Sequence, residues 1–266
     1  MGGLEHANWF MSALFGSMCL TIVVSVLLAQ RGRKMFIRRI PGLSAIEEAV
    51  GRATEMGRPI FFSPGLDPIT ITTLQALAIL SYVVRLAAAR ATRVIVGLRS
   101  PTVFPIAEES VREAYQAASR PDAYRPEDVR FVSDEQFAYA MGCVGIMARE
   151  EVATNFLFGG FYAESLILAE NGRALGALQV AGCPDPVQIP FFIATCDYVV
   201  IGDEYYAASA YLTREPTLIG SLIGQDIAKA ILIALVIVGV VVASVVGGAD
   251  NETRNLLLKL LASGAQ

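Results

Sequence analysis

Histidine is nearly missing from this sequence: one residue, His6, sits close to the N-terminus. Triads, metal sites and acid–base steps that need an imidazole are therefore excluded from the rest of the chain. Cysteine is scarce too. Cys19, Cys143, Cys183 and Cys196 are dispersed without a C-x-x-C pair. That pattern offers neither zinc-ligand spacing nor a disulfide framework, and it suits a reducing compartment. Charge is thin, at 17% of residues against 54% apolar. The net charge of −4 comes with no long basic stripe, so nucleic acid is not an expected partner. Neither G-x-G-x-x-G nor G-x-x-x-x-G-K-[S/T] occurs, which leaves dinucleotide and P-loop chemistry without a motif. No internal repeat points to a solenoid.

What the chain has in excess is apolar length. Trp9 to Ala29 carries no charge over 21 residues. As a helix rising about 1.5 Å per residue it covers roughly 30 Å, the thickness of bilayer hydrocarbon. Arg31, Arg33, Lys34, Arg38 and Arg39 follow it, whereas Glu5 is the one charged side chain before it. A cleaved leader has its basic residues ahead of the apolar run, so this run reads as an anchor. The positive-inside rule keeps its C-terminal flank in the cytoplasm and sends residues 1–8 out. A second run, Ile227 to Val246, is apolar on every face, with Lys229 in its first turn. Residues 227–247 are expected to cross the membrane and residues 248–266 to lie outside. In that tail Leu256, Leu257, Leu258, Leu260 and Leu261 beside Arg254 and Lys259 suit a short interfacial helix or frayed chain. Small residues four apart recur on both anchors: Ser12 with Gly16, Ala13 with Ser17, and Gly239, Ala243, Gly247. Such faces either let helices approach closely, within or between chains, or merely reflect membrane composition.

After a basic linker (residues 30–43, closed by Pro41-Gly42) the pattern changes to alternation. Helices are expected over Ser44–Met56, Asp67–Ala91, Val103–Ser119, Ser133–Glu150, Phe161–Glu170, Val187–Ala194 and Glu204–Leu212. Strands are expected over Arg58–Ser63, Arg93–Leu98, Val129–Val132, Ala153–Phe158, Ala174–Val180 and Tyr198–Ile201. Ser133 and Gln136 form a capping-box pattern, and Asn171-Gly172 a helix stop. Six strands alternating with helices predict an α/β fold: a Rossmann-like layered parallel sheet over residues 44–225, with one transmembrane helix before it and one after.

In open parallel sheets ligands bind beyond the C-terminal strand ends. Those positions hold Ser63 and Gly65, Arg99-Ser100-Pro101, Ser133 and Asp134, Gly159 and Gly160, Gly182 with Cys183, and Asp203 with Glu204. These are candidate ligand-binding residues, or ordinary turn residues. Gly160, ahead of a helix, could offer backbone donors to an anion. Glu164 interrupts an apolar helix with Ser165. A buried carboxylate there is costly unless paired. It is either a general base or ligand anchor, or a hydrogen-bonded structural group or subunit contact. Cys183 could be an exposed thiolate, though no histidine is available to activate it. Asp197, Asp203 and Glu204 could approach a magnesium ion, or simply suit a helix N-terminus. No catalytic residue, metal ligand or cofactor is assigned.

Four segments together resemble a known family: Ile40–Ile60, Phe131–Met147, Phe158–Gly172 and Gln188–Leu212. They are similar to a prokaryotic membrane-anchored family known as domain of unknown function 6754. The resemblance implies a membrane location and an α/β domain, and it brings no activity and no catalytic residues. The expected protein is a membrane-tethered module with its domain in the cytoplasm, both termini outside and the lipid bilayer as a partner. An oligomeric scaffold or partner-binding role, with self-association through anchors and domain, is the first expectation. A small-molecule or nucleotide-binding sensor or enzyme, with its pocket at the strand ends, is the alternative.

Overall fold

The computed structural model describes residues 9–31, 40–213 and 216–246. The expectations for residues 1–8, for residues 32–39 of the basic linker, for Gly247 and for the tail lie outside these residues. The chain divides into two compact units, Arg38–Thr213 and the combination of Met1–Ile37 with Arg214–Gln266.

The second unit is built on two long apolar helices, α1 (Trp9–Gln30) and α9 (Pro216–Val246). Both are strongly apolar, though α9 carries Gln225, Asp226 and Lys229 in its first half. α9 begins eleven residues before the expected Ile227, because Pro216 is a favourable first residue and nothing up to Ile227 breaks a helix. The helices run antiparallel and touch through Gly220 and Gly224. A Cβ on Gly220 would stand 2.6 Å from Val26 Cα, and one on Gly224 2.7 Å from Ile22 Cα. Ala228 is buried at the next four-residue step, facing the level of α1 beyond Ser25 and Ala29, which are buried too. The close seam is thus Gly220-Gly224-Ala228. The expected stripes lie elsewhere: a Cβ on Gly16 or on Gly239 would meet no other element within 4 Å. The side chain of Ala243 lies outside the described residues. Ser17 turns its hydroxyl onto Leu14 O of its own helix.

The α/β unit contains α2 (Pro41–Met56), β1 (Ile60–Gly65), α3 (Ile71–Ala89), β2 (Val94–Leu98), α4 (Phe104–Ala117) and β3 (Val129–Phe131). It continues through α5 (Gln136–Arg149), β4 (Thr154–Gly160), α6 (Glu164–Ala174), β5 (Leu178–Cys183), α7 (Ile189–Thr195), β6 (Tyr198–Ile201) and α8 (Ala208–Thr213). All six strands are parallel, in the order β3-β2-β1-β4-β5-β6. Consecutive connections run outward from β1 and then from β4, the doubly wound arrangement. Phe62, Val96, Phe156 and Val180 point to one core, which α2, α3, α4 and α8 cover. Phe61, Ile95, Leu157 and Ala181 point to the other, under α5, α6 and α7. Strands buried on both faces read as continuous apolar runs. Three helices are long and apolar enough to cross a membrane: Ser12–Gln30, Ile71–Ala89 and Pro216–Val241. The middle one is α3, whose Ala76, Ile79, Leu80, Val83 and Val84 pack the sheet core.

Several boundaries depart from expectation for local reasons. Pro41-Gly42 opens α2 instead of closing the linker, since proline suits a first helical position. Gly42 lies against the Val199 carbonyl, where a Cβ would stand 3.0 Å away. α6 runs through Asn171-Gly172, because Asn171 donates to Ile167 O at 2.8 Å and Gly172 makes room for the Gln179 and Asn155 side chains. The turn is made by Gly176, at φ +71°. β5 consequently starts at Leu178, four residues after the expected Ala174. Ser133 and Gln136 do not form a capping box: α5 starts at Gln136, and Ser133 Oγ accepts from Glu135 N at 3.1 Å.

Candidate functional site at the strand ends

The strand order reverses between β1 and β4, so the switch point lies between their C-terminal ends. In this chain the two strands remain paired there. Gly65 aligns with Gly160 after a bulge, and Leu66 N donates to Gly160 O at 2.8 Å. The approach requires glycine. Gly65 has φ +84° and Gly159 φ +149°, and a Cβ on either would run into the backbone of the facing strand. The Asp67 carboxylate then lies over Gly160, in space a side chain there would need. Tyr162 Oη donates to Asp67 Oδ1 at 3.3 Å. The neighbouring Asp67 charge, aided by burial, pushes the Tyr162 phenol up, so it stays a donor.

Glu164 is fully buried in the first turn of α6. Its Oε1 accepts from Tyr162 N at 2.8 Å and its Oε2 from Gln136 Nε2 at 2.5 Å. A helix N-terminus attracts an anion. Here the chain's own carboxylate occupies that position, so Glu164 takes the geometry of a hydrogen-bonded structural group. Ser63 is buried as well, with Oγ 2.7 Å from Tyr139 Oη. Tyr139 donates to Gly97 O at 3.0 Å and Gly65 N donates to Ser63 Oγ, which leaves the Ser63 proton directed at Tyr139. Burial pushes the Tyr139 phenol well up, so it keeps its proton.

The remaining candidates are scattered. Gly182 is a packing glycine whose Cβ would stand 2.6 Å from the Phe158 ring and 3.2 Å from Tyr205. Asp134 is exposed and its carbonyl accepts from Arg99 Nε at 2.8 Å. Asp203 lies in a 3₁₀ turn, Gly202–Tyr205, beyond β6. Asp197 precedes β6, at the opposite end of that strand from Asp203, and its Oδ2 accepts from Gln179 N at 2.7 Å. The acidic cluster read in the sequence is thus split by a strand about 13 Å long. Among the described residues no group of three or more His, Cys, Asp or Glu is placed to hold a metal. Cys183 is buried rather than exposed, and burial pushes its thiol up; Cys143 and Cys196 are pushed up to about 12 for the same reason. Thiolate chemistry is disfavoured at all three.

The structure thus brings Ser63, Gly65, Gly159, Gly160 and Glu164 together and leaves Ser133, Asp134, Gly182 and Asp203 around them. Sequence reasoning missed Asp67, Gln136, Tyr139 and Tyr162. Asp67 becomes visible once β1 is read through to Gly65. Gln136 was masked by its match to a capping pattern, and the two tyrosines carry no local signal. The connections that leave the six strands hold Asp67, Asp134, Glu135, Asp185, Asp203 and Glu204, with Glu164 opening α6, against Arg99 alone. A field of that sign opposes phosphates. Apolar side chains stand outside the same edge, four residues apart at each of three adjacent helices: Phe137 with Met141, Tyr162 with Leu166, Val187 with Phe191. They are between 36% and 68% exposed. Two polar cavities open at the opposite edge. One, of about 340 Å³, has Arg52, Arg173 and Asp197 in its wall, and the other, of about 240 Å³, Arg93, Arg120 and Arg125.

No curated protein and no solved structure matches the chain. The profile of one family, described as "Domain of unknown function (DUF6754)", matches residues 3–254. That match runs over nearly all of the sequence, and the chain belongs to the DUF6754 family.

Proposed function

We propose that this protein is a membrane-tethered module for self-association and partner binding, with its α/β unit in the cytoplasm. One observation carries the reading. At the β1/β4 switch point, where this fold class holds small ligands, the Gly65–Gly160 pairing and the carboxylates of Asp67 and Glu164 take up space, while three helices present apolar side chains outside it. An apolar, acid-rimmed edge suits a macromolecular surface better than a nucleotide. The basic residues after α1 support a cytoplasmic α/β unit, with the residues before Trp9 and after Val246 on the other side.

The test uses the full chain in nanodiscs. Mass photometry is expected to count more than one copy per disc, and a strict monomer would contradict self-association. In parallel, a thermal-shift screen with nucleotides and common metabolites is expected to give no stabilisation. A reproducible shift with one ligand class, lost in Glu164→Gln, would establish the ligand-binding alternative instead.

A further inference from the structure

The first turn of α3 stands out from the α/β unit. Its Thr70 cap accepts from Thr73 N at 3.3 Å, and Thr73 Oγ1 donates to Pro68 O at 2.6 Å. These bonds hold the turn after β1 in one shape and leave Ile69, Ile71 and Leu74 between 51% and 71% exposed. Beside them, Tyr205 Oη donates to Thr72 O at 2.8 Å, and the half-exposed Tyr206 sets its ring edge-on to Tyr205. The sequence from Pro68 to Val84 carries no charge. Single exposed aliphatics are ordinary, but three around one uncharged turn, with a tyrosine, make a patch. α3 and α8 cover one face of the sheet and α5, α6 and α7 the other, so this patch is separate from the apolar pairs of those three helices.

We infer that this patch, Ile69, Ile71 and Leu74 with Tyr206, rests in the interfacial layer of the bilayer, on zwitterionic lipid. The inference rests on the membrane placement proposed above. The short length of chain leading out of the unit favours lipid as the occupant. α8 packs on α3 and ends at Thr213, and α9 starts at Pro216, a separation of at most about 11 Å. Gly220 against Val26 and Gly224 against Ile22 set Pro216 level with Gln30, where the apolar run of α1 gives way to Arg31. α8, on the same sheet face as the patch, is therefore tethered close to the level at which hydrocarbon stops. Aliphatic side chains gain by burial at that boundary, and tyrosine favours it. The patch holds no basic residue, so anionic headgroups are not required.

Single-tryptophan variants of the full chain in phosphatidylcholine nanodiscs test this, since bromine on the acyl chains quenches a tryptophan that touches them. In a Trp9→Phe background, Ile71→Trp and Leu74→Trp are each expected to lose emission when the lipid is brominated near its headgroup, and to be shielded from aqueous acrylamide. Both side chains are exposed, so neither substitution disturbs the packing of α3. Phe137→Trp, in α5 on the other sheet face, is expected to keep its emission, and Val236→Trp, in α9, to lose it. Quenching of Ile71→Trp and Leu74→Trp by acrylamide and not by bromine would overturn the inference. Shielding from both quenchers would assign the patch to a protein surface, a second copy included, and overturn it too, as would an equal loss at Phe137→Trp. An unquenched Val236→Trp would remove the membrane placement itself, and this inference with it.

Discussion

Gly65 shows how much of the switch point depends on a missing methyl group. Its φ of +84° disfavours any L side chain, and its Cβ would enter the Gly160 backbone. Gly65→Ala is expected to destabilise the α/β unit by about 2–4 kcal/mol, combining backbone strain with overpacking. Denaturant unfolding of the full chain measures this, and a loss below about 0.5 kcal/mol would show that β1 and β4 can separate there at little cost. At the other edge, Arg93 donates to both Asp128 oxygens at 2.9 Å and to Glu150 at 2.7 Å, and Arg130 reaches Glu150 at 2.7 Å. The Arg130 hydrogen bond, with Arg93 beside it, holds the Glu150 carboxyl below its usual range despite some burial. A carboxylate depressed in the folded state stabilises fully above its unfolded pKa, about 4.3, and loses that contribution as pH falls through the lower folded value. Glu150→Gln is therefore expected to flatten the fall of stability below about pH 4 while lowering stability at pH 7. An unchanged acid limb in a pH series of melting curves would contradict this coupling.

At the scale of elements, close helix packing was one of two readings of the small-residue stripes, and the residues that meet are not the ones those stripes named. The small-residue rule holds for Gly220, Gly224 and Ala228, but the expected span started after the first two. Hydropathy finds the apolar run; which face meets a neighbour depends on where the other helix lies. Gly220→Leu with Gly224→Leu drives side chains into the backbone at Val26 and Ile22 and is expected to destabilise the helix pair by about 1–3 kcal/mol. Thermal unfolding of the full chain in nanodiscs measures this, and an unchanged midpoint would mean that the close approach contributes nothing to stability. α6 teaches a similar lesson. Asn171-Gly172 resembles a stop in isolation, yet Gly172 is required by Gln179 and Asn155 packing against the helix. The strand that follows therefore starts four residues later than the local pattern suggested.

Across the whole α/β unit, its first and last helices meet. Ser44 Oγ near the start of α2 lies 2.9 Å from Tyr211 Oη in α8, and Tyr198 donates to Glu48 at 3.1 Å. The two helices thus lie side by side. On the proposed cytoplasmic placement, a cysteine introduced at the exposed Glu55 is expected to resist a membrane-impermeant maleimide in intact cells and to react after permeabilisation. Labelling without permeabilisation would place the domain on the other side.

Composition and periodicity by themselves determined the apolar runs, the alternation of six strands with helices, and the exclusion of histidine chemistry. These follow from how much apolar surface a segment carries and at what period, which is local. Tertiary structure alone decided that Asp67 and Glu164 fill the switch point, that Cys183 is buried, and that Asp197 and Asp203 stand at opposite ends of a strand. Each of these depends on which distant backbone a side chain meets. That is set by strand order and helix register, quantities that no window of neighbouring residues contains.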